Sequence, residues 1–258
     1  MSQKKTIYDI ITKDLGGLVR KKYRTHHLSV KMARQRMAKG PRFLKMINHG
    51  KWKWIVLVDE GWVYMTNCNG QRKIYYEFRG NRRPESWRKY VVQKNPIGVM
   101  VAMGITAGGP TGIYFVPPEA KVNSQFYVDK VLRPILQKDI PRLYGKLAKK
   151  VTLHHDSAPA HTSFFTYNSI VKMGFNFIAK EDWPANSPDI SPMDFSLNGI
   201  LKERLFRRRI RNLDGLKRAI RDEWKKIDPD LCLKVLRSWP DRVSQMTECQ
   251  GFQFEHLR

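Results

Sequence analysis

Three aspartates stand where carboxylates can do chemistry. Asp59 follows the apolar run WIVLV, Asp156 follows the apolar VTLHH, and Asp194 follows Ser191-Pro192 at the head of a helical pattern. A strand end exposes its side chain at the rim of a sheet, where open α/β folds bind ligands. If the two strands are neighbours and the helix packs beside them, three carboxylates converge on one edge. Like charges a few ångströms apart raise each other's pKa unless a countercharge is supplied. An all-oxygen set, with no dedicated Cys/His ligands, suits Mg²⁺ or Mn²⁺ better than zinc. Two such ions about 4 Å apart can activate an attacking oxygen and stabilise a leaving one in phosphoryl chemistry. Each residue also has an ordinary reading. Asp59 is then an exposed acid after a strand, and Asp156 opens a turn with Ser157. Asp194 becomes the third position of a capping box, with Ser191 as N-cap and Pro192 at the first helical position. At Asp194 the cap and the ligand role are compatible.

Other candidates carry less. His154, His155 and His161 flank Asp156 but offer no fixed zinc set with a fourth ligand, so a strand-end pair plus a helix-start histidine is favoured. GITAGGPTG is glycine-rich yet lacks the Gly-Lys-Ser/Thr of a phosphate-binding loop, so a hairpin is expected and no ATP use. Trp62, Trp87 and Trp183 could stack on bases, with core packing favoured for Trp62. Cys68, Cys232 and Cys249 form no C-x-x-C pair, which argues against a disulfide framework and for a reducing, intracellular setting. The formal net charge of +25 makes nucleic acid the leading partner. Arg207, Arg208, Arg209 and Arg211 directly follow the Asp194 helix and read as a phosphate-tracking surface. No apolar run reaches membrane-spanning length, and MSQKKTIYDI lacks the core of a secretory signal.

The elements that must position these residues follow from periodicity. Helical spacing appears over Thr6 to Leu15, stopped by Gly16-Gly17, and again over Val30 to Ile47. WKWIVLVDE, VYMTN and KIYYEF read as strands, with turn chemistry at Asn67 to Gly70 and a basic loop over 79–96. VMVAMGITAGGPTGIYFV reads as two strands around a glycine turn. Ser124 to Tyr144 is a helix, Lys150 to His155 a strand, His161 to Met173 a helix and Asn176 to Ala179 a strand. Pro184 to Pro192 is a loop, and Met193 to Phe206, Leu213 to Ile227 and Asp230 to Val243 are helices. The class is mixed α/β. An antiparallel meander followed by helix, strand, helix, strand, helix has the order of a ribonuclease-H-like fold, a mixed sheet flanked by helices.

Local sequence sharpens this. HHDSAPAHTS (154–163) resembles the second catalytic block of the Tc1/mariner transposase superfamily. SPDISPMDFSLNGILKERL (187–205) resembles the third, and VDEGWVY (58–64) the first. GITAGGPTGIYFV (104–116) resembles the glycine-bearing strand pair between them. The resemblance selects Asp194, which follows the second proline, over Asp189, which reads as a turn residue. Thirty-seven residues separate Asp156 from Asp194. A third Asp at that spacing resembles a mariner-like branch with an Asp-Asp-Asp triad. KKTIYDIITKDLG (4–16) resembles the last helix of the family's second helix-turn-helix, and 23–47 resembles the linker after it. The resemblance thus divides the chain into a recognition-domain remnant (1–17), a basic linker (18–50) and a catalytic domain (51–258). It also implies that the chain starts inside the DNA-binding region. Asn198 departs from the aromatic or apolar residue of related sequences, readable as surface drift or as damage to the core.

The resemblance implies metal-dependent DNA strand cleavage and strand transfer. Water attacks a phosphodiester at the element's end, and the freed 3′ hydroxyl attacks target DNA. Asp59, Asp156 and Asp194 are the implied catalytic and metal-binding residues, with two Mg²⁺ or Mn²⁺ ions as cofactors. Double-stranded DNA, both transposon ends and target, is the implied partner, a homodimer is compatible, and a nuclear location follows. Two rivals remain: a domesticated or decayed copy that only binds nucleic acid, and a ribonuclease-H-like nuclease without transposition.

Overall fold

A computed structural model describes residues 13–15, 27–68, 96–117 and 122–255. Most of the expected helix from Thr6, the strand KIYYEF, the loop over 79–96 except its last residue, and Trp87 therefore lie outside the described residues.

The structure is a mixed sheet with helices on both faces. Its strands are β1 (Ile55–Tyr64), β2 (Gly98–Thr106), β3 (Gly109–Pro110), β4 (Tyr114–Val116), β5 (Thr152–His154) and β6 (Asn176–Phe177). They run in the order β3-β2-β1-β5-β6, and β4 also pairs with β2. β1 and β2 are antiparallel, whereas β1–β5 and β5–β6 are parallel. The apolar run in β1 is buried on both faces because its side chains alternate between two cores. Ile55, Leu57 and Val63 enter one, and Val56 and Val58 the other. The second core is covered by a helix, α2, spanning 124–144, and by α3 (Phe164–Lys172). Tyr127, Val128, Val131, Leu132, Ile135, Leu136 and Ile140 supply its stripe. Gly145, at φ 53°, lets the chain turn out of this helix.

The first core is covered by α4 (193–206, a wide turn Met193–Leu197 running into Asn198–Phe206), α5 (Leu213–Lys225), α6 (Pro229–Arg237) and α7 (Trp239–Glu248). A further helix joins them, α1 (Val30–Ile47), capped by Ser29, whose side chain accepts from Met32 N at 3.3 Å. Ala33, Arg36, Gly40, Phe43 and Ile47 form its buried stripe. Gly40 is needed where α1 crosses α7: a Cβ there would sit 2.6 Å from Thr247 Oγ1. Over its described part, the stretch read as a basic linker is thus a helix of the domain, and the packed unit begins before residue 51.

Three expectations need correction. WKWIVLVDE and VYMTN are not successive strands: β1 is one ten-residue strand, and Asp59 lies in its middle, opposite Met103. The strand continues past the acid because β2 keeps pairing with it to Tyr64. The helix expected over Asp230 to Val243 is two helices meeting at Ser238. Pro240 has no N–H to give a helix interior but is tolerated in a first turn. Trp62 is not a core residue, being 41% exposed and stacked on Tyr64. Trp183 is buried instead, edge-on to Phe43 and against His154.

Candidate active site

The parallel pairing of β1 and β5 runs from Ile55↔Thr152 to Leu57↔His154 and stops there. Asp59 therefore lies two residues beyond the end of its parallel neighbour, at a rim although it is mid-strand. Alternation puts it on the face of Leu57, toward α4, and puts Glu60 on the opposite face. Asp156 follows β5 by two residues. Asp194 sits in the wide first turn of α4. Asp59, Asp156 and Asp194 line one cavity of about 270 Å³, together with His154, Trp183 and Ser191.

Burial pushes the Asp59 carboxyl up to about 6, and the charge of Asp194 adds to the rise. Asp194 is raised as well, by burial first. Bonds from Ser191 and Asn198 and the charge of Lys202 work against that rise, and the charge of Asp156 adds to it. Asp156 behaves differently. Burial would raise it, but it is held below the usual carboxylate range by His161 and by the Ala158 N–H. Its Oδ1 lies 2.6 Å from His161 Nδ1 and accepts from Ala158 N at 2.9 Å. Asp156 and Asp194 thus combine the ordinary roles weighed from sequence, a turn opener and a helix-start acid, with a place on the cavity wall.

Behind this rim lies a second layer. His161 Nε2 stands 3.5 Å from Glu60 Oε2, and Tyr127 stacks on the imidazole at 3.9 Å. Burial would lower His161, yet Asp156 and Glu60 outweigh it and raise its pKa. Burial lifts Glu60 to about 7. His154 and His155 are forced down to about 3 by burial and stay neutral. That excludes them as charge partners for the aspartates.

Sequence reading missed two members of this cluster. Glu60 was hidden because strand alternation sends it away from Asp59. Asn198 donates from Nδ2 to Asp59 Oδ2 at 2.8 Å, so it is neither surface drift nor core damage. Its signal was its spacing: four residues after Asp194, one helical turn along the same face. Asp189 lies in a turn, as expected, and is also a buried partner of Arg36, with Nη2–Oδ2 at 2.5 Å. It ties the loop before α4 to α1 and leaves Asp194 as the acid of that loop that lines the cavity.

Among the described residues, no three His, Cys, Asp or Glu side chains are gathered tightly enough to form a ready-made ion cage. Asp59 accepts instead from Asn198 Nδ2 and Asp156 from Ala158 N. The donor set still fits a hard divalent cation. It consists of carboxylate oxygens, and Asp59 and Asp194 are both raised, by burial first and also by the charge of a neighbouring aspartate.

Against known proteins, the sequence matches no family model. It is 28% identical over 252 residues to the transposable element Tc3 transposase of Caenorhabditis elegans, covering 97% of this chain and 71% of that protein. The chain is homologous to that transposase. The fold agrees. The Mos1 transposase paired-end complex with left transposon end superposes with a TM-score of 0.78 at 19% identity, covering 95% of this chain and 70% of the other. The catalytic domain of Mos1 mariner transposase superposes at 0.67 and 17% identity, over 90% of this chain and all of that domain. The chain therefore has the ribonuclease-H-like α/β fold expected from its order of elements. Among its described residues, no helix is long and apolar enough to cross a membrane.

Proposed function

We propose that this chain is the catalytic part of a cut-and-paste DNA transposase, which cleaves a DNA strand at a transposon end and joins the freed 3′ hydroxyl to target DNA. The observation that carries the reading is the meeting of Asp59, Asp156 and Asp194 on one cavity wall from a strand, a strand-following turn and a helix start. The similarity to the Tc3 transposase supports it, as do the solved Mos1 complexes with transposon-end DNA. The proposed ligands are the same three aspartates. The proposed cofactors are two Mg²⁺ or Mn²⁺ ions, and Mos1 structures have been solved with each metal. When bound, the cations supply countercharge and polarise the phosphodiester oxygens.

This chain's own residues prepare that chemistry. Asp59 is the most buried of the three and feels the charge of both other acids. His161 pins Asp156 through a 2.6 Å contact and Tyr127 packs on the other ring face, so Asp156 holds one orientation. Ser191 and Asn198 work to lower the Asp194 carboxyl, favouring its charged form. Double-stranded DNA is the proposed substrate, a paired assembly the proposed active form, and the nucleus the proposed location.

The test is cleavage of a supercoiled plasmid carrying the inverted repeats that flank the coding sequence. With Mn²⁺, nicked and linear products are expected, and none in EDTA. Asp194→Asn should abolish both products while shifting the melting temperature by no more than a few degrees. Asn keeps the hydrogen bonds of a helix start but is a poor ligand for a hard cation. An Asp194→Asn protein that still cleaves would sink the assignment. Plasmid binding by the wild type without either product would favour a derivative that only binds nucleic acid.

A further inference from the structure

Asn198 stands where a helix and a strand of the site must be held together. It lies on α4, one turn after Asp194, and reaches across to β1, where its Nδ2 meets Asp59 Oδ2 at 2.8 Å. Asp194 lies four residues earlier on the same helix, and Asn198 works to lower its carboxyl pKa. A side-chain amide carries two N–H donors and an ionised carboxylate only accepts, so one Asn can serve both acids with its nitrogen. Its Oδ1 is buried and has no hydrogen-bond partner. A residue present only to fill space would not bring an unmet polar atom into the interior.

We propose that Asn198 is a positioning residue that clamps Asp59 of β1 to α4 one turn after Asp194 and so holds the two carboxylates at a spacing a divalent cation can bridge. This rests on the reading of those aspartates as cation ligands. The chemistry of the amide suits the task. Two like charges on separate elements push those elements apart. A Lys or Arg at this position would join them more strongly, but its charge would replace the cation it should help recruit. A neutral amide joins them and leaves the negative charge in place.

The experiment measures Mn²⁺ binding by electron paramagnetic resonance, with melting curves in EDTA and in Mn²⁺. It uses the whole chain as wild type, Asn198→Leu, Asn198→Asp and Asp194→Asn. Asn198→Leu keeps the volume and removes the donors. It is expected to bind Mn²⁺ about 10- to 100-fold more weakly, the range for loss of a partner that orients metal ligands. Asn198→Asp loses the donors and adds a third charge beside the two acids. In EDTA it should melt below the wild type, and Mn²⁺ should raise its melting temperature by more than the wild type's. Wild-type affinity in Asn198→Leu would overturn the clamp. Should the Leu variant not fold, an Asn198→Asp protein with the wild type's Mn²⁺-induced rise would overturn it instead. The two readings fail separately. If Asp194→Asn binds Mn²⁺ as the wild type does, the metal reading falls and the clamp with it. If Asp194→Asn weakens binding and Asn198→Leu does not, the clamp alone falls.

Discussion

A buried carboxylate in this site trades stability for charge, and Asp59 makes the trade measurable. Its folded pKa of about 6 lies above the ordinary carboxylate value, chiefly because burial disfavours the ion. A group raised in this way contributes stability below its unfolded pKa, and that contribution is lost as pH rises through the folded value. The loss for Asp59 therefore falls between about pH 4 and pH 6. Glu60, raised to about 7, loses its share over a window reaching slightly higher. His154 and His155 act in the opposite sense. Their pKa values are lowered to about 3, so their contribution is lost as pH falls below that of an ordinary imidazole. The overall pH profile thus mixes opposing slopes, and a comparison of variants isolates the carboxylate. Asp59→Asn in EDTA should melt above the wild type at pH 8 and show little or no advantage at pH 4. The histidine slopes are common to both proteins and cancel. An advantage independent of pH, or larger in acid, would show that the Asp59 carboxylate is not under desolvation strain.

At the scale of elements, the site depends on contacts far apart in sequence. The loop that delivers Asp194 is anchored by Asp189 to Arg36 on α1, across 153 positions, with both side chains essentially buried. Removing one partner takes an ion-pair partner from a buried charge, a loss of the kind that costs about 3–5 kcal/mol. Arg36→Ala should lose stability of that order in urea unfolding, and Arg36→Met with Asp189→Leu should recover most of it. A single-variant loss below about 1 kcal/mol would show that the pair does not anchor the loop. Such pairings mark the limit of what sequence could reveal. Local pattern sufficed for α1, the 124–144 helix, the glycine hairpin and the blocks around Asp156 and Asp194, because apolar period and turn residues act over a few positions. It failed for the far half of β1, since the acids at 59 and 60 interrupt the apolar run although pairing with β2 carries the strand onward. It gave Arg36 only as one more basic residue, when its place in a buried helical stripe called for a carboxylate partner. Asn198 was seen as a departure from related sequences. Its meaning required knowing that one turn of α4 lies beside the middle of β1.

The whole molecule carries a net charge of +25, far more than its site requires. Part of that charge is spent internally: Arg208 donates from Nε to the buried Glu223 at 2.7 Å. Around it, Arg209, Arg211 and Arg218 line a second cavity of about 380 Å³, at the junction of α4 and α5. This cavity shares no lining residue with the aspartate cavity, yet the helix that begins at Asp194 leads directly into it. A duplex whose scissile phosphate lay at the aspartates could follow α4 onto these arginines. Contacts of this kind are to phosphates, which give affinity without sequence information. Binding of duplex DNA by this chain should therefore depend strongly on salt and little on sequence. If six or more phosphates are contacted, affinity should fall by about 10³-fold or more between 50 and 200 mM salt. Arg209→Glu with Arg211→Glu should weaken binding equally on end-bearing and scrambled duplexes. It should also reduce the slope of log affinity against log salt by about 1.8, two contacts at about 0.9 each. Fluorescence anisotropy titrations at several salt concentrations, on both duplexes, read all three quantities at once. An unchanged slope would remove this surface from the DNA path. A clear preference of the wild type for the end sequence would show that the chain reads base edges, and the phosphate account of its charge would fail.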